Sequence, residues 1–194
     1  DGTNDYVEID EDSEFNTDVV SISAWVNIDN NDTGQRTIFS DYEQDGSTRT
    51  GYTSLVNSNA KFEFIFGFGS SSGMCTSTKE VSDNIWTHLT VTYDKSSVKL
   101  YFNGILDKSC NYDDAISSSD GKQIIGATDY DGDGNYNDFF DGTLDDVSIW
   151  SAALTSSEIE KIYWGGDFVK PVVNASAGDF AFKLSAAEAE LKYF

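Results

Sequence analysis

Three carboxylates recur at alternate positions in one short stretch, Asp129, Asp131 and Asp133, and Gly134 follows at once. A hard cation such as Ca2+ takes about 6–8 oxygens at 2.3–2.6 Å, and a chain curling around the ion offers them from alternate residues. Glycine lets the backbone turn where a side chain would clash. Asn135, Asn137 and Asp138 extend the run of oxygen donors. The first six positions, from Asp129, fit the D-x-D/N-x-D/N-G start of a calcium loop. Phe140, however, stands at the twelfth, where an EF-hand has a bidentate Glu. The flanking sequence reads as strand rather than helix. The expectation is therefore a Ca2+ loop that is not an EF-hand, completed by Asp138, Asp141 or a loop elsewhere. The alternative is an acidic, solvated turn.

Other residues offer less chemistry. His88 is the single histidine. A nucleophilic triad needs a base oriented beside Ser or Cys, and no neighbour of His88 is singled out, so it reads as a half-buried structural residue. A lone histidine also makes a Cys/His zinc site hard to build. Cys75 and Cys110, the two cysteines, fall in or beside expected strands and would pair as a disulfide in an oxidising compartment. Tyr42, Tyr52, Tyr130 and Tyr136 lie in or beside the metal-side loops. Aromatic faces stack on flat apolar partners and the hydroxyl adds a polar handle, so these tyrosines form a candidate glycan platform, unless they only anchor long loops. Trp25, Trp86 and Trp150 fall within expected strands and read as core or half-buried. Asn31 and Asn174 head glycosylation sequons, which matter only in a eukaryotic secretory setting.

The elements that must position these groups are short strands. The chain has 194 residues, enough for one domain with a short appendage. Its 13 Phe, 10 Tyr and 4 Trp can fill a sizeable core. With 34 acids against 12 bases the net charge is −22, which excludes unassisted nucleic-acid binding, since phosphate contact needs Lys and Arg clusters. The acidity suits divalent cations, an extracellular setting or a saline habitat. No apolar run is long enough for a membrane span. No signal peptide is visible, and the opening at Asp1 and Gly2 suggests a fragment of a longer polypeptide.

Alternating patterns predict strands over 5–10, 19–28, 36–40, 52–56, 61–68, 85–93, 98–102, 123–126 and 142–150. Residues 29–34 and 41–51 read as loops, and 69–73 as a flexible tip. Asn103-Gly104 is a strong two-residue hairpin signal leading to Ile105 and Leu106. Thr155 to Glu158 forms a capping box, with Ile159, Ile162 and Tyr163 at helical spacing before Gly165. Residues after 166 change character: Pro171 sits in a linker-like stretch, 180–184 read as a further strand, and Ser185 as a helix cap. The fold class expected is all-β, an antiparallel β-sandwich (a jelly roll) with one short C-terminal helix. Residues 1–166 form the domain, and 167–194 a C-terminal extension or the start of a following module.

Five segments in order resemble laminin-G-like jelly-roll domains of the concanavalin A-like superfamily. They are the opening strand 1–9, residues 20–26, the hairpin 86–94 with 98–104, Ile125-Gly126 before the closing strand 140–150, and 153–159 at the helix. The resemblance extends to pentraxins, whose acidic calcium loop also precedes the closing strand. It implies further ligands from a second loop, here Asp41, Glu43 and Asp45. It also implies a structural calcium held by Asp145 and backbone near Gly2, though Asp145 reads equally well as an exposed strand carboxylate. Glycosidases of the superfamily use paired carboxylates about 5 Å apart. Glu8, Asp10 and Asp12 are superficially similar, but the closing Glu is absent, Ser13 occupying one candidate position and Asp12 the other, so catalysis is not expected.

The reading is a calcium-binding extracellular adhesion or carbohydrate-recognition module of a larger surface or secreted protein, not an enzyme. Its partners would be a glycan or cell-surface protein ligand and neighbouring domains of the same polypeptide. A structural spacer rigidified by calcium is the rival, followed by an accessory module of a glycoside hydrolase.

Overall fold

The computed structural model describes residues 2–9, 15–29 and 34–165, and the backbone of 181–184. Among the described residues fourteen strands run β1 Val7–Ile9, β2 Val20–Ile28, β3 Arg36–Ser40, β4 Glu43–Asp45, β5 Thr48–Thr50, β6 Tyr52–Val56 and β7 Lys61–Gly67, then β8 Ser72–Glu80, β9 Thr87–Tyr93, β10 Ser97–Phe102, β11 Ile105–Asn111, β12 Gln123–Ile125, β13 Gly142–Trp150 and β14 Ala181–Leu184. One helix, α1, spans Ser156–Tyr163. One sheet has the order β1-β12-β3-β6-β7-β8, the other β11-β10-β9-β2-β13-β14, and β4-β5 form a separate hairpin. Every pairing is antiparallel. The architecture is the expected sandwich.

The core follows from the period of two along each strand. Val20, Ile22, Ala24, Val26 and Ile28 of β2, with Leu89, Val91 and Tyr93 of β9 and Val98 and Leu100 of β10 in the same sheet, share one core cluster with Phe62, Phe64 and Phe66 of β7 in the other. Each Val, Leu, Ile or Phe among them contributes about 1.5–3 kcal/mol by leaving water. A second, smaller cluster lies on the outer face of the second sheet, where Tyr101, Trp150 and Leu154 meet Ile159 of α1. That cover explains why Ser21, on the outward register of β2, is buried and donates to Ala152 O (2.6 Å). The helix starts as the sequence predicts: Thr155 accepts from Glu158 N, and the Glu158 carboxylate accepts from Thr155 N at 2.7 Å.

Two stretches differ from expectation. Residues 41–51 contain the β4-β5 hairpin, whose three-residue strands are too short to show periodicity. Residues 69–73 are not wholly a tip: β8 begins at Ser72, and it has no apolar alternation because its inward positions are Gly73, Cys75 and Ser77. These residues must be small. A Cβ on Gly73 would lie 2.4 Å from the Phe66 ring, so β8 is held by pairing with β7 rather than by its own hydrophobicity. Cys75 of β8 and Cys110 of β11 form a disulfide, with Cα atoms 5.9 Å apart, which joins edge strands of the two sheets. Trp86 precedes β9 rather than lying within a strand and is 41 % exposed, more open than the core or half-buried position expected. His88 is more buried than expected, at 1 %.

Candidate metal centre

The acidic loop connects β12 to β13 and so passes from one sheet to the other. Its base is pinned by two reciprocal bonds, Thr128 N to Asn137 O (3.0 Å) and Asn137 N to Thr128 O (2.9 Å). One rung outward, Phe140 N donates to Gly126 O (2.8 Å), and the Phe140 ring is buried. The twelfth position is thus a core anchor, which is why no carboxylate stands there. Asp138 is half-buried in a left-handed conformation (φ 49°), its carbonyl accepts from Thr37 N at 3.0 Å, and burial pushes its carboxyl pKa up.

Within this frame Asp129, Asp131 and Asp133 bring one oxygen each to within 4.8 Å of one another. Oxygens on opposite sides of a calcium ion are about 4.6–5.2 Å apart, so three donors at this spacing fit around one ion. All are hard oxygen donors, which suits Ca2+ and not a soft metal. Backbone and amide donors fix two of them. Gly134 N donates to the Asp129 carboxylate (3.1 Å), and Asn135 N and Nδ2 donate to Asp133 (2.9 and 2.6 Å). Those bonds from Asn135 lower the Asp133 pKa.

The second strand to reach the loop is β4. A Cβ on Gly132 (φ 68°) would meet Glu43 Oε1 at 2.4 Å, so glycine there allows the carboxylate to lie over the loop. Burial first, then the charges of Asp120, Asp129 and Asp45, push the Glu43 pKa up, as expected for a carboxylate crowded among others. Gln44 N donates to Tyr130 O (2.8 Å), and the Tyr130 hydroxyl donates to the Gln44 side chain. Tyr130 packs on Tyr42 at 5.5 Å and leaves 43 % of its surface exposed.

The other candidates are dispersed. Asp41 is buried at the end of β3, where Oδ1 accepts from Gln123 Nε2 at 3.3 Å and the carboxylate lines a small cavity with Phe15 and Tyr52. Asp45 is exposed on β4, its charge felt at Glu43. Asp145 lies on β13 opposite Trp25 and accepts from Asp146 N at 2.8 Å. Gly2 packs against Asp141 instead, where an added Cβ would lie 2.7 Å from the Asp141 Cβ. Tyr52 belongs to the core and donates its hydroxyl to Phe15 O (3.1 Å), so its ring offers no face to a ligand. Tyr42 is also buried. Tyr136 is half-buried and donates to the Glu8 carboxylate. Glu8 itself is exposed on the edge strand β1, while Asp10 and Asp12, with the sequons at Asn31 and Asn174, Pro171 and the cap at Ser185, lie outside the described residues. Of the three acids that the resemblance implied in the second loop, Glu43 is the one that lies over the acidic loop. Gln44, Tyr6 and Lys122, which also meet the loop tyrosines, were missed because no local pattern marks a contact between separate elements, whether 86 residues apart, as for Gln44 and Tyr130, or 14, as for Lys122 and Tyr136.

A two-sheet antiparallel sandwich is the architecture of jelly rolls. Residues 1–160 match the family model of the laminin-G type, within the concanavalin A-like lectin/glucanases superfamily, and the chain belongs to that family. No curated protein sequence matches it. Among solved structures it is similar to the native heptameric SAP-like pentraxin of Limulus polyphemus, at 16% identity and a TM-score of 0.58 over 87% of this chain and 81% of that one. A Bacteroides ovatus protein described as carbohydrate binding aligns at 20% identity and TM-score 0.64, over 94% of this chain and half (50%) of that one. The Ruminococcus gnavus IT-sialidase CBM40, bound to α2,3-sialyllactose, aligns at 12% identity and TM-score 0.65, over 82% of this chain and 97% of that one.

Proposed function

We propose that this domain is a carbohydrate-recognition module that binds calcium through the 129–138 loop, within a secreted or surface protein. The observation that carries the reading is the convergence of Asp129, Asp131 and Asp133 with Glu43 beside the exposed ring of Tyr130. Bound calcium would neutralise the crowded carboxylates and offer open coordination to ligand hydroxyls. The chain's own residues do the rest. Asn135 and Gly134 aim the carboxylates, the Thr128–Asn137 pair closes the loop, and Tyr130 supplies an apolar face at its rim. Binding rather than turnover is supported by similar folds described as binding carbohydrate, α2,3-sialyllactose and N-acetylneuraminic acid. An extracellular setting is supported by the disulfide, which persists in oxidising compartments. Among the described residues no helix is long and apolar enough to cross a membrane.

Calcium titration tests the metal, and glycan binding with and without a chelator tests the role. At calcium a hundredfold above its Kd the folded state gains about 2.7 kcal/mol, a rise in Tm of roughly 5–10 °C for a domain of this size. Asp131→Ala should abolish that rise and leave a folded sandwich. Undiminished calcium affinity in Asp131→Ala would make the loop an acidic turn. Calcium-dependent stability without any glycan binding would make the domain a spacer.

A further inference from the structure

Away from the carboxylates, the loop contributes one more side chain to a different surface. Tyr136 lies against β1, its ring 4.3 Å from that of Tyr6, with Phe139 6.3 Å from Tyr6 on the flank. Tyr6 is 42 % exposed. Beside these rings Glu8 is gripped at both oxygens: Lys122 Nζ donates to Oε1 at 2.9 Å, and the Tyr136 hydroxyl donates to Oε2. Lys122 Nζ also donates to the Tyr136 hydroxyl at 3.3 Å and sits 5.9 Å from the ring centroid. An exposed Lys–Glu pair is ordinarily mobile and weak. Here a third group holds it, so a carboxylate and an ammonium stand fixed beside an open aromatic face.

We propose that Tyr6, Tyr136, Glu8 and Lys122 form a subsite for a neutral hexopyranose. The apolar face of the sugar would cover Tyr6, and two adjacent hydroxyls would engage the Glu8–Lys122 pair. The donor count fits. Each Glu8 oxygen accepts one bond here and has a second lone pair, and the ammonium uses two of its three donors. One hydroxyl can donate to the carboxylate while its neighbour accepts from the ammonium, a pairing that adjacent ring hydroxyls satisfy together. Little ordering remains to be done on binding, because the protein has already fixed these side chains. Acidic sugars are disfavoured by the Glu8 charge and by the chain's net charge of −22. The subsite rests on the carbohydrate reading above but needs no metal ligand.

The test is saturation-transfer NMR with the methyl glycosides of glucose, galactose and mannose, in calcium and in chelator. Tyr6→Ala should weaken binding roughly tenfold, Tyr6→Phe should retain it, and Glu8→Gln or Lys122→Ala should each weaken it severalfold with Tm unchanged. Tyr6 immediately precedes the edge strand β1 and Glu8 lies on it, both exposed, so these variants keep the fold. Sugar binding that vanishes in Asp131→Ala but survives Tyr6→Ala overturns the subsite and leaves the loop as the glycan site. Binding that survives the chelator and Asp131→Ala but falls in Tyr6→Ala upholds the subsite and overturns calcium-mediated recognition. Absence of binding for all three glycosides, with other glycans bound, overturns the hexopyranose assignment alone.

Discussion

Protonation of His88 should set the acid limit of this domain. The ring is 1 % exposed and packs against Trp25 (5.2 Å) and Tyr163 (5.9 Å), the last residue of α1; these two rings also touch each other at 5.5 Å. Its Nδ1 finds no hydrogen-bond partner among the described residues. Burial without a compensating carboxylate lowers the pKa from 6.5 to about 4. The folded state therefore resists a proton that the unfolded chain accepts. Above about pH 6.5 both states are neutral at this site and it contributes nothing to the pH dependence. As pH falls from 6.5 to about 4 the unfolded chain is progressively favoured. At about 1.4 kcal/mol per pH unit across that interval, the loss approaches 3 kcal/mol. Urea titrations followed by tryptophan fluorescence should show the midpoint dropping by roughly 1–2 M over this range. The control is His88→Gln, whose curve should lack this slope whatever its packing cost. Asp94, held at about 2 chiefly by its bonds from Ser96 and Ser97 against opposing burial, and Glu43, pushed up by burial, titrate in both proteins and cancel in the difference. Because the chain has a single histidine, its NMR resonance also reports the folded-state pKa directly. Parallel stability curves for the two proteins between pH 6.5 and 4, or a resonance titrating near 6.5, would refute the argument.

Reduction of Cys75–Cys110, which closes a separation of 35 residues, should cost about 4 kcal/mol by the chain-entropy argument, read as a lower Tm in reductant. Gly132→Ala places a Cβ against Glu43 at a positive φ; weaker calcium binding, measurable by isothermal titration, with a loss of about 1 kcal/mol in stability from the backbone strain is expected. Phe140→Glu restores the EF-hand ending on paper. Because that position faces the core, it should destabilise the domain by more than about 3 kcal/mol in urea titrations rather than tighten calcium binding.

Most strands, the Asn103-Gly104 turn and the capped helix were legible because each rests on local chemistry. Alternation places one face inward, positive φ at Asn103 and Gly104 suits the tight turn, and Thr155 with Glu158 satisfies the first helical turn. The Asp129–Asp133 cluster was legible for the same reason, since alternate residues of one curled segment must meet. What the sequence could not show is whatever depends on two distant strands being neighbours. Strand β8 carries no hydrophobic signal, because the Phe66 ring fills the space its side chains would take. Asp41 and Asp45 differ from Glu43 by two residues each, yet the close of β3 buries Asp41 beside Gln123, while the β4-β5 hairpin turns Glu43 over Gly132. Glu8, Lys122 and Tyr136 come from an edge strand, the approach to β12 and the loop. Local composition alone fixed the kind of protein this is, an acidic β-sandwich with one oxygen-rich loop. Only the sheet order, through which long-range pairing sets the neighbours of each side chain, decided which carboxylates and rings surround that loop.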